Sequence, residues 1–381
     1  MRPRTALLSC LAGALLALGC ASSQGSAGTG ELNRTLHSRG LDPSSVVIPF
    51  EITDEMRTWV HAQVPDGTPQ EERLNRLLAA MLDPGRLQLR YEAGRTVTAQ
   101  EAFKTRRANC LAFTSLFVGL ARELGVPAYY LDVEDIERFE KEGDLMVVSG
   151  HVSAGFSIGG GKVKILDFSP AGTPAYRRVN HVTDLRAVAL YYSNRGAESL
   201  RAGKSAEALE WLRKAVAIDP DFGGGWVNLG VALRREGDVA GAEAAYRKAL
   251  EADPQTSSAY SNLASLLRTR GQDAEAERLL ALATNVDRRN PFSYIALGDL
   301  SLSQGRLDEA RRFYRKALRL HQEDAEVFAA LGMVALASGD PGEARKWLRR
   351  AESTDRENAR VRQLGDRLAG PVTPPGRSEG R

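Results

Sequence analysis

Apolar residues recur at helical spacing over most of the chain. "TDEMRTWVHAQV" sets Met56, Trp59, Val60 and Val64 on one face, and "PQEERLNRLLAAML" buries Leu74, Leu77, Leu78 and Met81, with Pro69 suited to a first helical position. In "TAQEAF", Thr98 and Glu101 have capping-box spacing. A further helix opens at Asn109, a good N-cap, carries the stripe Leu116, Phe117, Leu120 and Leu124, and ends at Gly125-Val126-Pro127. The period then shortens to two. "GHVSAGFSIGGGKVKILDFSP" reads as two strands joined by Gly159-Gly160-Gly161. If all three glycines form the loop, residue i pairs with 320 minus i, so Ser153 faces Asp167. His151 is then a diagonal neighbour of Asp167 on the same face, roughly 7–8 Å away between backbones; a two-residue loop would put them on opposite faces. The polar side of the first strand, His151, Ser153, Gly155 and Ser157, is expected to wall a site, with Val152, Ala154, Phe156 and Ile158 on the other side.

The second half repeats. Gly196, Gly230, Gly298 and Gly332 fall on one lattice, Ala264 filling the missing place, because 230 minus 196 and 332 minus 298 are both 34. The same step relates Ala208, Ala242, Ala276, Ala310 and Ala344, and again Ala215, Ala249, Ala283, Ala317 and Ala351. Small residues at that period, with Asp-Pro closing units at Pro220 and Pro254, resemble the tetratricopeptide repeat. Five helix-turn-helix units are expected to begin near residues 189, 223, 257, 291 and 325, spanning 188–358, followed by a capping helix over 359–370 and a disordered tail over 371–381. The resemblance implies a concave groove for a protein or peptide partner. Arg234 and Arg268, equivalent on consecutive first helices, are candidate partner-binding residues for an acidic or carboxylate-bearing ligand; two solvated arginines are the plainer alternative.

At the other end, "MRPRTALLSCLAGALLALGC" has Arg2 and Arg4, an apolar run and a small residue before Cys20, the layout of an export signal over 1–19. "LALGC" resembles the lipobox of bacterial lipoproteins, which implies lipidation at Cys20 and a cell-envelope location. Ala21 after it resembles the sorting pattern for an outer membrane, facing the periplasm. The Gly/Ser-rich stretch that follows is expected to extend a flexible tether over 20–45.

Charge narrows the partners. Lys plus Arg number 51 against 48 Asp plus Glu, a net charge of +3 that falls to +1 without Arg2 and Arg4, so no nucleic-acid footprint is expected. No cofactor and no metal are expected: the chain has no calcium loop of EF-hand spacing, and "DVEDIERFEKEGD" reads as a solvated loop or short helix. Of three cysteines, Cys10 lies in the export signal and Cys20 is the lipid site, leaving Cys110 without a disulfide partner.

Cys110 stands at a helix N-terminus, where unpaired amides and the positive dipole end favour a thiolate. The order of helix-borne Cys, His on one strand and Asp on the next, carried by "NCLAFTSLFVGLARELGVPA", "HV" and "LDFSP", resembles the transglutaminase-like superfamily over roughly residues 50–185. "FKTRRANCLAFTSLFVGLARELG" looks like the bacterial branch that is fused to tetratricopeptide repeats. The resemblance implies an α+β transglutaminase-like (papain-like) domain over 46–187, followed by an all-α tetratricopeptide-repeat solenoid. It also implies catalytic roles: Cys110 the nucleophile, His151 its base, Asp167 the group that orients the imidazole. His181, beside a Thr183 helix cap, is the competing base. Acyl transfer or hydrolysis at amide bonds is the expected chemistry; a catalytically silent lipid-anchored scaffold is the alternative.

Overall fold

The computed structural model describes residues 29–133, 138–142, 145–149, 152–157, 163–168 and 179–370. The export signal, Cys20, His151, the three loop glycines and the tail at 371–381 lie outside the described residues. The chain divides into two compact units, one ending at Asp253 and the other beginning at Pro254, with residues 141–146 grouped with the second.

The first unit departs at once from the expected tether. Helix α1 (Thr29–Ser38) buries Leu32 and Leu36, the latter completely, in the main core. A stripe of only two leucines four residues apart, next to a Gly/Ser-rich run, was too short to register as an amphipathic helix. Arg39 just beyond it donates to the Ile218 carbonyl and lies 3.9 Å from a carboxylate oxygen of Asp219. Leu36→Ala is therefore expected to cost about 2–5 kcal/mol in urea unfolding, whereas a tether residue would cost nothing measurable.

Helices α2 (Asp54–Gln63) and α3 (Gln70–Leu82) follow as the apolar spacing predicts, with Met56, Val60, Leu74, Leu77 and Met81 buried. Pro69 is the N-cap of α3 rather than its first helical residue. After the two-residue strand β1 (Arg90–Tyr91), α4 (Ala99–Thr105) carries the reciprocal Thr98–Glu101 capping box. Strand β2 (Arg107–Ala108) pairs in parallel with β1 and delivers the chain to α5 (Cys110–Glu123), whose middle is buried on every side.

Helix α5 packs on a four-stranded antiparallel sheet in the order β7 (Val163–Leu166), β6 (Val152–Ser157), β3 (Ala128–Val133), β8 (Val179–Val182). The β6–β7 register pairs Ala154 with Leu166 and Ser157 with Val163, so each pair sums to 320, the rule a three-glycine loop imposes. Between β3 and β6 the acidic stretch is not loop or helix throughout. Strand β4 (Arg138–Glu142) runs through it and pairs with β5 (Leu145–Ser149), its charge having hidden a segment that bonds through its backbone.

Helix α6 (Asp184–Arg201) begins at the Thr183 cap, whose hydroxyl accepts from the Arg186 amide at 3.1 Å, and is followed by α7 (Ser205–Ile218), α8 (Gly223–Arg235) and α9 (Val239–Ala252). A domain boundary between residues 187 and 188 would cut α6. Val188, Leu190, Tyr191 and Tyr192 of α6, with Ala215 and Ile218 of α7, share one core with Leu116 and Phe117 of α5. The first repeat thus belongs physically to the domain before it, a long-range fact that the repeat period cannot reveal.

The second unit continues the array as α10 (Ser257–Thr269), α11 (Asp273–Val286), α12 (Pro291–Ser303), α13 (Leu307–Leu320), α14 (Ala325–Ala337) and α15 (Pro341–Asp355), then α16 (Ala359–Ala369). Four first helices start at Gly223, Ser257, Pro291 and Ala325, the residues assigned by the 34-residue step. The ten lattice alanines are all 0% exposed, which is why nothing larger fits where paired helices touch. Gly203, Gly237, Gly271, Gly305 and Gly339 close each intra-repeat turn at φ between 71° and 83°, a backbone that a side chain would strain. Asn358 caps α16, whose Val361 and Leu364 cover Phe328 and Met333 of α14. Among the described residues no helix is long and apolar enough to cross a membrane.

Candidate active site

Cys110 is the first residue of α5, partly exposed and free of any disulfide. Two hydrogen bonds and one backbone turn around it fix its place. The Asn109 side-chain oxygen accepts from the Ala112 amide at 2.9 Å, capping the helix. The Glu92 amide donates to the Ala108 carbonyl at 2.9 Å, extending the β1–β2 pairing up to the cap. Arg106 takes a left-handed backbone, φ 59°, to turn the chain from α4 toward that pairing.

Residues 152 and 168 meet this helix end, Val152 as the first residue of β6 and Phe168 two residues past β7. The Thr114 hydroxyl donates to the Val152 carbonyl at 3.2 Å, and the Phe113 ring stacks on Phe168 with centroids 4.7 Å apart and planes inclined by 20°. Both contacts lie within four residues of Cys110. Val152 directly follows His151, and Phe168 directly follows Asp167, which is half-buried just past the last paired residue of β7.

The expected polar wall is corrected along the body of the strands. It is the opposite face, with Tyr130, Ala154, Phe156 and Val182, that packs toward α5, and the Tyr130 hydroxyl donates to Ser115 Oγ at 3.1 Å. Apolar burial decides the matter, since α5 is almost wholly hydrophobic and takes the hydrophobic face. Ser153 and Gly155 share the reverse face with Tyr129, Leu131 and His181. His181 pairs with Leu131, and its ring lies 5.0 Å from Tyr129. Partial burial pushes the His181 pKa down, against the pull of Asp184. His181 thus shares the face of Ser153 and Gly155.

Sequence reasoning missed the group that holds Asn109. Its side-chain amide donates to Thr96 Oγ1 at 2.8 Å, and Thr96, 1% exposed, is gripped from α6 on both sides of its peptide. Its amide donates to Glu198 Oε1 at 2.6 Å and its carbonyl accepts from Arg195 at 3.3 Å. Burial pushes the Glu198 pKa up, opposed by Thr96 and Arg195. No local signal links Thr96 to residues a hundred positions later.

Arg234 and Arg268 lie in the last turns of α8 and α10, each half-buried. Arg234 stands beside the buried Tyr246 hydroxyl, whose pKa burial pushes up, so Arg234 is not a purely solvated side chain. Among the described residues no group of three or more His, Cys, Asp or Glu side chains is placed to hold a metal ion.

The geometry meets its counterparts among known proteins in two stretches. The model of the transglutaminase-like superfamily matches residues 57–161, and tetratricopeptide-repeat models match 189–222, 233–297 and 301–368. No curated protein matches the chain. Similar solved structures include PilF of Pseudomonas aeruginosa, 26% identical, covering 49% of this chain and 83% of that one with a TM-score of 0.44. A thermophilic tetratricopeptide protein of Thermus thermophilus is 19% identical over 47% of this chain and 98% of its own, TM-score 0.42. YrrB, described as having an unusual peptide-binding site, is 18% identical over 47% and 92%, TM-score 0.36. The chain thus joins a domain of the transglutaminase-like superfamily to an array of tetratricopeptide repeats.

Proposed function

We propose that this protein is a membrane-anchored acyl-transfer enzyme in which Cys110, His151 and Asp167 act on amide bonds of a partner brought by the repeats. The observation that carries the reading is the meeting at the start of α5. Thr114 and Phe113, within four residues of Cys110, touch Val152 and Phe168, the residues next to His151 and Asp167. In this mechanism His151 takes the Cys110 proton, oriented by Asp167, and the thiolate sulfur attacks the amide carbonyl carbon. Amide groups of the first turn of α5 stabilise the oxyanion. The C–N bond breaks as the imidazolium returns its proton to the departing amine, leaving a thioester. Water or a second amine, deprotonated by His151, then releases the acyl group as acid or as a new amide. Cys20 would carry the lipid, holding the protein to an envelope membrane, on the apolar run and small residues that precede it. Arg234 and Arg268 would meet carboxylates of the bound protein or peptide.

The test is the alkylation of Cys110 by iodoacetamide against pH, read by mass spectrometry on the tryptic peptide Ala108–Arg122, which contains this cysteine and no other. The proposal expects a rate that levels off below neutral pH in the wild type and loses that plateau in His151→Ala. A slow rate that climbs only in alkali, unchanged by the substitution, leaves the silent, partner-binding scaffold.

A further inference from the structure

Helix α6, the first helix of the repeat array, grips α5 at both ends. At the far end, Arg122 of α5 makes a bidentate pair with Asp184 at the start of α6, with distances of 2.7 and 2.8 Å and little of either side chain exposed. At the near end, Glu198 and Arg195 hold the amide and carbonyl of Thr96, and Thr96 holds the side chain of Asn109. The lengths match. Asp184 to Glu198 is 14 residues and Asn109 to Arg122 is 13, about 21 and 20 Å of helix.

Each link in the near-end chain has a defined direction. Asn109 can cap Ala112 only while its oxygen points at the helix, and the Nδ2–H to Thr96 bond selects that rotamer over the flipped amide. The Thr96 hydroxyl oxygen accepts from Asn109 while the Thr96 backbone is held by Glu198 and Arg195. Arg195 stays near Glu198, 3.7 Å away, with its guanidinium over the Trp211 ring at 5.2 Å. A carboxylate and a guanidinium of the repeat array therefore decide how the residue before Cys110 is held.

We propose that Glu198 and Arg195 are positioning residues for Cys110, acting through Thr96 and Asn109, so that the first repeat sets the geometry of the nucleophile's helix end. This rests on the reading of Cys110 as the nucleophile. It gives the fusion of the two halves a mechanical meaning: load on α6 reaches the site through four hydrogen-bonded residues.

The experiment compares full-length wild type, Glu198→Ala, Thr96→Val and Thr96→Ser by two readouts: the pH profile of Cys110 alkylation, and hydrogen exchange of the amides over 110–114. The proposal expects Thr96→Val and Glu198→Ala to slow alkylation at the plateau by about three- to tenfold and to speed exchange by a similar factor, as loss of cap support implies. Thr96→Ser, which keeps the hydroxyl, restores both. Leu36→Ala, which costs stability without altering any of these four residues, leaves the alkylation profile unchanged. If Glu198→Ala does not fold, the Thr96 pair decides alone. Wild-type values for both readouts in Thr96→Val overturn the proposal. A wild-type Cys110 with no plateau overturns the nucleophile instead, while exchange over 110–114 still reports whether α6 holds the cap.

Discussion

A fragment ending at residue 187, where a family boundary would place the end of the first domain, is expected not to fold, while one spanning 29–253 unfolds cooperatively. The shorter piece loses all but the first turn of α6 and with it Leu190, Tyr191 and Tyr192, which are 8%, 6% and 2% exposed within the shared core. Large buried side chains contribute roughly 1.5–3 kcal/mol each, so these three account for about 5–9 kcal/mol. A whole domain has only about 5–15 kcal/mol to lose. The cut also leaves Glu198 and Arg195 behind, so Thr96 loses its partners on α6. Circular dichroism and a denaturant titration of both fragments check this; a sharp transition in the 29–187 piece would falsify it.

Tyr314→Ala should be the most damaging single change in the second unit, costing about 3–5 kcal/mol, the usual range for removing a buried aromatic ring. Tyr314 is fully buried, and its ring fills the space beside Gly298, where an added Cβ would stand 2.5 Å from Cε1. Its hydroxyl donates to Asp299 at 2.6 Å, and Arg360 of α16 pairs with the same carboxylate at 2.8 Å. Burial, and then the Asp299 charge, push the Tyr314 pKa up, so the hydroxyl stays protonated as a donor. Tyr314→Phe keeps the ring and leaves Asp299 its arginine, so its cost should be about 0.5–1.5 kcal/mol. Hydrogen exchange over α12 to α16 separates the two; equal protection in Tyr314→Ala and wild type would contradict the argument.

What could be read in advance follows from locality. The helix starts at Gly223, Ser257, Pro291 and Ala325 were legible because close helix packing forces small residues back to the same place every 34 positions. The β6–β7 register was half legible: the glycine run allowed two parities, and the observed pairs follow the one in which paired numbers sum to 320. The face of β6 that meets α5 is the apolar one, because the packing obeys hydrophobicity, and the polar alternation alone did not say which face that helix would cover. Helix α1 was hidden by its brevity. The grip of Glu198 on Thr96 joins residues 102 positions apart, and no periodicity carries such a pairing.

The early start of α1 changes the reach of the molecule. With a lipid on Cys20, as proposed, the leash to Thr29 is nine residues, 29 minus 20. Fully stretched it spans no more than about 30 Å. A tether ending at residue 45 would have been nearly three times as long, enough to let the site sample the depth of a compartment. Under that proposal the short leash would keep the unit that bears Cys110 beside its bilayer, and the amides within range would be those of neighbours anchored in or lying against the same membrane.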